Sequence, residues 1–183
     1  MSSNFKSTAW EVIKMVILTL IIVIPIRTYI AQPFIVSGAS MYPTFEDKEY
    51  LIVDEASYLF RKPTRGEVII FRYPKNPKKF FIKRIIGLPG EQIVITNNKI
   101  NILRDGQIIN VDEPYLQSPE NPLIDTELSL KDNEYFVMGD NRDVSFDSRN
   151  WGALPGEMIT GRALVRLFPP ARLAILPGAP GNY

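Results

Sequence analysis

Histidine and cysteine are both absent from this chain of 183 residues. Without histidine there is no Ser-His-Asp triad, no Cys-His dyad and little basis for a transition-metal site. Without cysteine there are no disulfides, no thiolate nucleophile and no cysteine-ligated zinc or iron–sulfur centre. A net charge of one sign is lacking too: 21 Lys and Arg stand against 20 Asp and Glu. So weak a field points away from nucleic acid as a partner. No EF-hand-like run of acidic residues suggests a calcium or magnesium site. Neither a metal nor a cofactor is expected. The 15 prolines, scattered among short apolar runs, discourage long helices outside the N-terminus. The length suits one domain with a sizeable core, or one domain plus a small insertion.

One long apolar run does exist. Residues 9–30 are apolar except for Glu11, Lys14, Thr19, Arg27 and Thr28. The uncharged core, 15–26, is shorter than the roughly 20 residues that cross a bilayer. The length suffices if Lys14 and Arg27 snorkel and Trp10 and Tyr29 sit at the interfaces. A cleaved signal peptide would have a similar core, but Ala31-Gln32-Pro33 is a poor cleavage site. A buried soluble helix would need a polar face that this run lacks. The expectation is a short cytoplasmic tail over 1–8, a transmembrane anchor over 9–30 and the remaining domain over 31–183. Lys6, Lys14 and the amino terminus outweigh Arg27, which puts the N-terminus in the cytoplasm.

Beyond residue 32 the pattern turns short and strand-like. Segments 33–36, 50–53, 67–72, 79–86, 91–96, 99–103, 107–111, 134–138 and 161–167 are rich in β-branched or aromatic residues. Tyr73-Pro74-Lys75-Asn76-Pro77 reads as a turn, Asn97-Asn98 as a tight hairpin and Arg104-Asp105-Gly106 as another turn. Residues 112–133 read as irregular. The fold class expected is mostly β: a transmembrane helix, then an antiparallel sheet domain with a small inserted β region over about 90–133.

Three segments can carry chemistry. In Ser37-Gly38-Ala39-Ser40-Met41-Tyr42-Pro43-Thr44, small residues before Ser40 would let a substrate backbone approach. The same octapeptide also reads as a plain surface turn. Lys83 lies in the apolar run Phe80-Phe81-Ile82-Lys83-Arg84-Ile85-Ile86, with Phe81 and Ile85 on its face of a strand. Most such lysines snorkel. A buried one can be neutral: a free lysine is only about 0.1 % neutral near pH 7.5, and lowering its pKa by about three units makes it roughly half neutral. A neutral lysine can act as a general base. Gly139-Asp140-Asn141-Arg142-Asp143-Val144-Ser145-Phe146-Asp147-Ser148-Arg149 reads as a solvated loop, yet its charges can pair internally or with Arg84.

These three segments, in this order behind an N-terminal anchor, resemble the type I (leader) signal peptidases of the bacterial kind, over nearly the whole chain. The resemblance implies a membrane-bound serine endopeptidase with Ser40 as nucleophile and Lys83 as general base. It implies that Ser145 hydrogen-bonds and orients the lysine, that Asp147 and Arg149 hold the loop, and that Asp140 pairs with Arg84. Met41 and Met138 would help line a dry pocket. Some members carry a serine two positions before the nucleophile; here that position is Gly38, so the oxyanion hole is expected to rest on the Ser40 N–H. Substrate would lie extended between 33–36 and 79–83, against Phe34, Ile35, Val36, Phe81 and Ile82. The implied partners are the lipid bilayer and signal-peptide-bearing preproteins cut after Ala-x-Ala. The implied location is the cell membrane, single-pass, with the catalytic domain on the outer face. A different serine–lysine protease, or an inactive tethered β module that binds exported peptides, are the rival readings.

Overall fold

The computed structural model describes residues 2–25, 32–111, 113–116 and 121–179. Helix α1 (Ser2–Pro25) comes first. Twelve strands follow: β1 (Gln32–Ile35), β2 (Tyr50–Asp54), β3 (Val68–Tyr73), β4 (Asn76–Gly87), β5 (Gln92–Thr96), β6 (Lys99–Arg104), β7 (Gln107–Asn110), β8 (Thr126–Ser129), β9 (Glu134–Met138), β10 (Leu154–Pro155), β11 (Ile159–Phe168) and β12 (Ala174–Ile175). A one-turn helix, α2 (Ser148–Trp151), lies between β9 and β10. One sheet runs β1-β2-β11-β3-β4-β9-β10, with β12 also on β11; a second runs β7-β6-β5-β8. Every strand pairing is antiparallel.

Strand β3 shows why its run of apolar residues is unbroken. Val68 and Ile70 pack with Met41, Phe45, Leu51 and Val53 on one side. Ile69 and Phe71 pack with Ile85, Tyr135, Val137 and Leu154 on the other. A strand covered on both faces needs no polar alternation. The second sheet lays Ile93, Ile95, Ile100 and Ile102 on Ile86, Phe136 and Met138, which join it to the ends of β4 and β9. Each fully buried Ile or Phe contributes roughly 1.5–3 kcal/mol by leaving water. Asn97 and Asn98 both have positive φ, as do Asp105 and Gly106, the backbone that tight hairpins require.

Three expectations change. Strand β4 starts at Asn76, so the turn after β3 is shorter than 73–77; Pro77 is accommodated beside a shift in the β3–β4 register. The stretch 112–133 contains β8, which pairs with β5 along its full length. At the N-terminus the helix begins at Ser2 rather than after residue 8, and residues 26–30 of the expected anchor lie outside the described ones. Among the described residues no helix is long and apolar enough to cross a membrane. Glu11 and Lys14 shorten the uncharged part of α1 below the roughly 20 residues a crossing needs.

Among the strand edges that the described residues leave open, two lie beside the site. Among the described residues β1 pairs only with β2. β9 joins β4 only from Arg84 onward, so β4 before that point pairs on one side alone, with β3. The sheet curls until Phe34 of β1 and Phe80 of β4 touch, ring centroids 5.3 Å apart. The space between these open edges leads to the site.

Candidate active site

Ser40 sits on a loop that closes back on itself after β1. The Val36 N–H donates to the Glu49 carbonyl and the Lys48 N–H to the Val36 carbonyl, both at 2.9 Å. Met41 and Phe45, almost wholly buried, fasten the loop from beneath. Ser37, Gly38 and Ala39 stay exposed and Ser40 is half-buried. Gly38 has φ +89°, a conformation that favours glycine, and its N–H is held by Asp47 at 2.8 Å.

Lys83 is 4 % exposed, and its Nζ lies 2.6 Å from Ser40 Oγ. Nζ also donates to the Ile82 carbonyl at 2.9 Å. Burial lowers the lysine pKa to about 8; Asp147 and Asp140 pull it back up, and Arg149 pushes it down. At pH 7.5 about a quarter of such lysines are neutral, against about 0.1 % of free ones. Phe81 and Ile85, on the lysine's side of β4, belong to the core around Phe71, while Ile82 packs on the opposite cluster around Met41.

The third segment is an ordered brace. Asp147 caps α2: its carboxylate accepts from the Arg149 N–H, and the Asn150 side chain accepts from the Asp147 N–H. The same buried carboxylate pairs with Arg149 at 2.8 Å and accepts from the Gly139 N–H at 3.0 Å. Arg149 also donates to the carbonyls of Arg142 and Ser145. Asp140 receives Arg84 Nε at 2.9 Å, Arg84 Nη2 at 2.6 Å and the Thr44 hydroxyl at 2.5 Å. Both charged partners are fully buried. The Asn141 N–H donates to the Ser40 carbonyl at 3.0 Å, so the brace and the Ser40 loop are joined directly. Gly139 is required there, because a methyl group would run into the Ser145 hydroxyl and the Ser40 carbonyl oxygen.

Ser145 differs from expectation. Its Oγ is buried and has no hydrogen-bond partner among the described residues, so the bond expected to Lys83 is not made. The lysine instead spends its contacts on Ser40 and the Ile82 carbonyl. Met41 and Met138 are buried in two separate cores and do not line the cavity.

A cavity of about 410 Å³ lies over the pair. Phe34, Ile35, Val36, Phe81 and Ile82 all line it, together with Ser40 and Lys83. Val144 and Phe146 line it too, from the brace, and sequence reasoning missed them. Their signal was available: two apolar residues two positions apart in an otherwise polar loop. Thr44, which ties the Ser40 loop to Asp140, carried no signal at all. Among the described residues the Ser40 N–H has no acceptor. The arrangement pairs a hydroxyl with a buried amine of lowered proton affinity, at the end of an apolar cleft walled by open strand edges.

Comparison with known proteins bears on this site. The family model "Signal peptidase, peptidase S26" matches residues 9–168. A signal peptidase I from Leptolyngbya laminosa is 39 % identical over 184 residues, covering 97 % of this chain and 88 % of that protein. A probable signal peptidase I-2 from Synechocystis sp. is 36 % identical, covering 93 % and 78 %. Signal peptidase I U of Bacillus subtilis is 35 % identical, covering 80 % of each. On a match that takes in the Ser40 loop, the Lys83 strand and the brace, the chain belongs to the signal peptidase family, peptidase S26, and is an enzyme of that family.

Proposed function

We propose that this enzyme removes signal peptides from exported preproteins, with Ser40 as nucleophile and Lys83 as general base. The observation that carries the reading is the 2.6 Å contact between Lys83 Nζ and Ser40 Oγ in a chain without histidine or cysteine. Neutral Lys83 takes the Ser40 proton as Oγ bonds to the scissile carbonyl carbon. The developing oxyanion is met by the Ser40 N–H. Collapse breaks the C–N bond, and Lys83 returns the proton to the leaving amine. Water then attacks the acyl ester, giving one proton through Lys83 to Ser40 Oγ as the ester C–O bond breaks; the carboxylic acid so formed releases its remaining proton to solvent. Asp140, Arg84, Asp147 and Arg149 keep the brace still. The buried, unpartnered Ser145 hydroxyl is available to the lysine during the reaction.

Substrate enters as an added strand between β1 and the open part of β4, against Phe34, Ile35, Val36, Phe81 and Ile82. The narrow apolar walls favour small side chains one and three residues before the cut, the Ala-x-Ala pattern. Large apolar side chains of α1, among them Trp10 at 59 % and Met15 at 70 % exposure, face outward, which supports a lipid-facing role for this helix. In this reading residues 9–30, which take in most of α1, anchor the enzyme in the cell membrane, the N-terminus in the cytoplasm and the catalytic domain on the outer face; protease protection of each side of sealed vesicles checks the topology. The function is tested by mass spectrometry of a preprotein after incubation with the enzyme. A single cut after Ala-x-Ala, absent with Ser40→Ala, is expected. Peptide binding without any cut would support an inactive binding module instead.

A further inference from the structure

Residues 169–179, beyond β11, reach the groups that surround the site, and none of them lines the cleft. After β11 the chain turns at residues 169–172, and β12 folds back on Val165 and Arg166. The Leu176 N–H donates to the Leu164 carbonyl at 2.6 Å, and Pro177 and Gly178 are buried. Arg84 Nη1 donates to the Gly178 carbonyl. It also donates to the Gly66 carbonyl at 2.8 Å, while Nε and Nη2 of the same guanidinium grip Asp140. Arg172 donates to the Pro43 carbonyl at 3.1 Å and pairs with Glu46 and Glu49, on the loop that carries Ser40.

A guanidinium is a rigid planar fork, and a buried one holds its orientation only if its donors are matched at both ends. Here Asp140 matches one end, and Gly66 and Gly178 match the other. Asp140 in turn precedes Asn141, whose N–H holds the Ser40 carbonyl. We propose that residues 172–178 form a positioning strap for the Ser40–Lys83 pair: Gly178 fixes Arg84 from the end opposite Asp140, and Arg172 fixes the nucleophile loop. Space at the strap is tight. Gly178 has φ +75°, and a Cβ there would lie 2.8 Å from Thr44 Cγ2, 3.1 Å from Val68 Cγ2 and 3.2 Å from Arg84 Nη2. A side chain at 178 therefore pushes on Thr44 and Arg84, the two groups that hold Asp140.

This inference rests on the Ser40–Lys83 reading, and the experiment separates the two. Cleavage of an Ala-x-Ala peptide by the full chain in detergent is followed across pH for wild type, Gly178→Val, Gly178→Ala, Ile108→Ser and Ser40→Ala. Lys83 is faced by Ser40, by the carboxylates of Asp140 and Asp147 and by the Arg149 guanidinium, with Arg84 next to it on its own strand. Asp140 raises the lysine's proton affinity, so its withdrawal moves the acid limb of the rate profile to lower pH. Gly178→Val is expected to lose roughly 10- to 100-fold in kcat, with KM within about twofold and the acid limb lowered. Gly178→Ala shows the same signature with a smaller loss, and serves if the valine variant does not fold. Ile108 is exposed on β7 of the second sheet, outside the strap, and Ile108→Ser keeps wild-type kinetics. A wild-type kcat in both Gly178 variants would overturn the strap, as would a lost kcat with the acid limb unmoved. Turnover surviving in Ser40→Ala would remove the dyad reading on which the strap rests.

Discussion

Replacing Lys83 with methionine should make the protein more stable while it abolishes activity. The folded pKa of Lys83 is about 8, against an ordinary value of 10.5. The unfolded chain therefore binds a proton that the native state releases between these two values. Below pH 8 the native state carries the full penalty, about 3 kcal/mol. The penalty shrinks as pH rises from 8 towards 10.5 and is gone above that, where both states are neutral. Methionine matches lysine in length, and volume-conserving exchanges cost less than about 1.5 kcal/mol. The Ile82 carbonyl loses a donor, worth about 1 kcal/mol. A net gain of about 1–2 kcal/mol at pH 7 remains. Guanidinium melts of the full chain in detergent, wild type and variant, at pH 7 and at pH 10.5 measure it as a shift in midpoint with the slope unchanged. The gain should be present at pH 7 and absent at pH 10.5. A variant clearly less stable than wild type at pH 7 would show that Lys83 is charged and paired in the native protein, and the general-base role would fall.

Three further outcomes follow from the same geometry. Ser145→Ala should lose roughly 10²–10³ in kcat while its melting midpoint stays level or rises slightly, because the deleted hydroxyl has no partner to lose; steady-state kinetics beside a thermal melt check both. Gly139→Ala should lose activity and roughly 1–3 kcal/mol of stability, since its methyl collides with Ser145 and Ser40 at once; a denaturant melt reads the second number. The acid limb of kcat/KM should have its midpoint near pH 8, where Lys83 becomes neutral in the free enzyme; a midpoint below 6 or a flat profile would point to another base.

The sheet strands were legible where β-branched runs were bounded by turn residues. Tyr50–Asp54, Lys99–Arg104 and Glu134–Met138 fall within a residue of their expected positions. β8 was not legible, because Thr126-Glu127-Leu128-Ser129 alternates only weakly and gains its strand state by pairing with β5. β10 and β12 are two-residue bridges with no sequence signal. Ser40 and Lys83 stood out because the missing histidine left so few other chemistries. The Arg84–Asp140 pair was implied by the family resemblance; charge alone said only that the loop could pair internally or with Arg84. The clamp on Arg84 from Gly178 was not, since the acceptor is a backbone carbonyl distant in the chain. Backbone partners carry no side-chain signature, and the same reason hid the Asn141 N–H bond to Ser40.

The central claim, that Ser40 and Lys83 act together, is tested most directly by the turnover of an Ala-x-Ala peptide by purified Lys83→Ala, with its folded state verified by a melt. Ser40→Ala provides the background rate. The expected result is that Lys83→Ala falls to that background at every pH, because the chain has no imidazole or thiolate to replace the amine. Substantial turnover by Lys83→Ala above the Ser40→Ala background would contradict the pairing and return the proton-accepting role to another group.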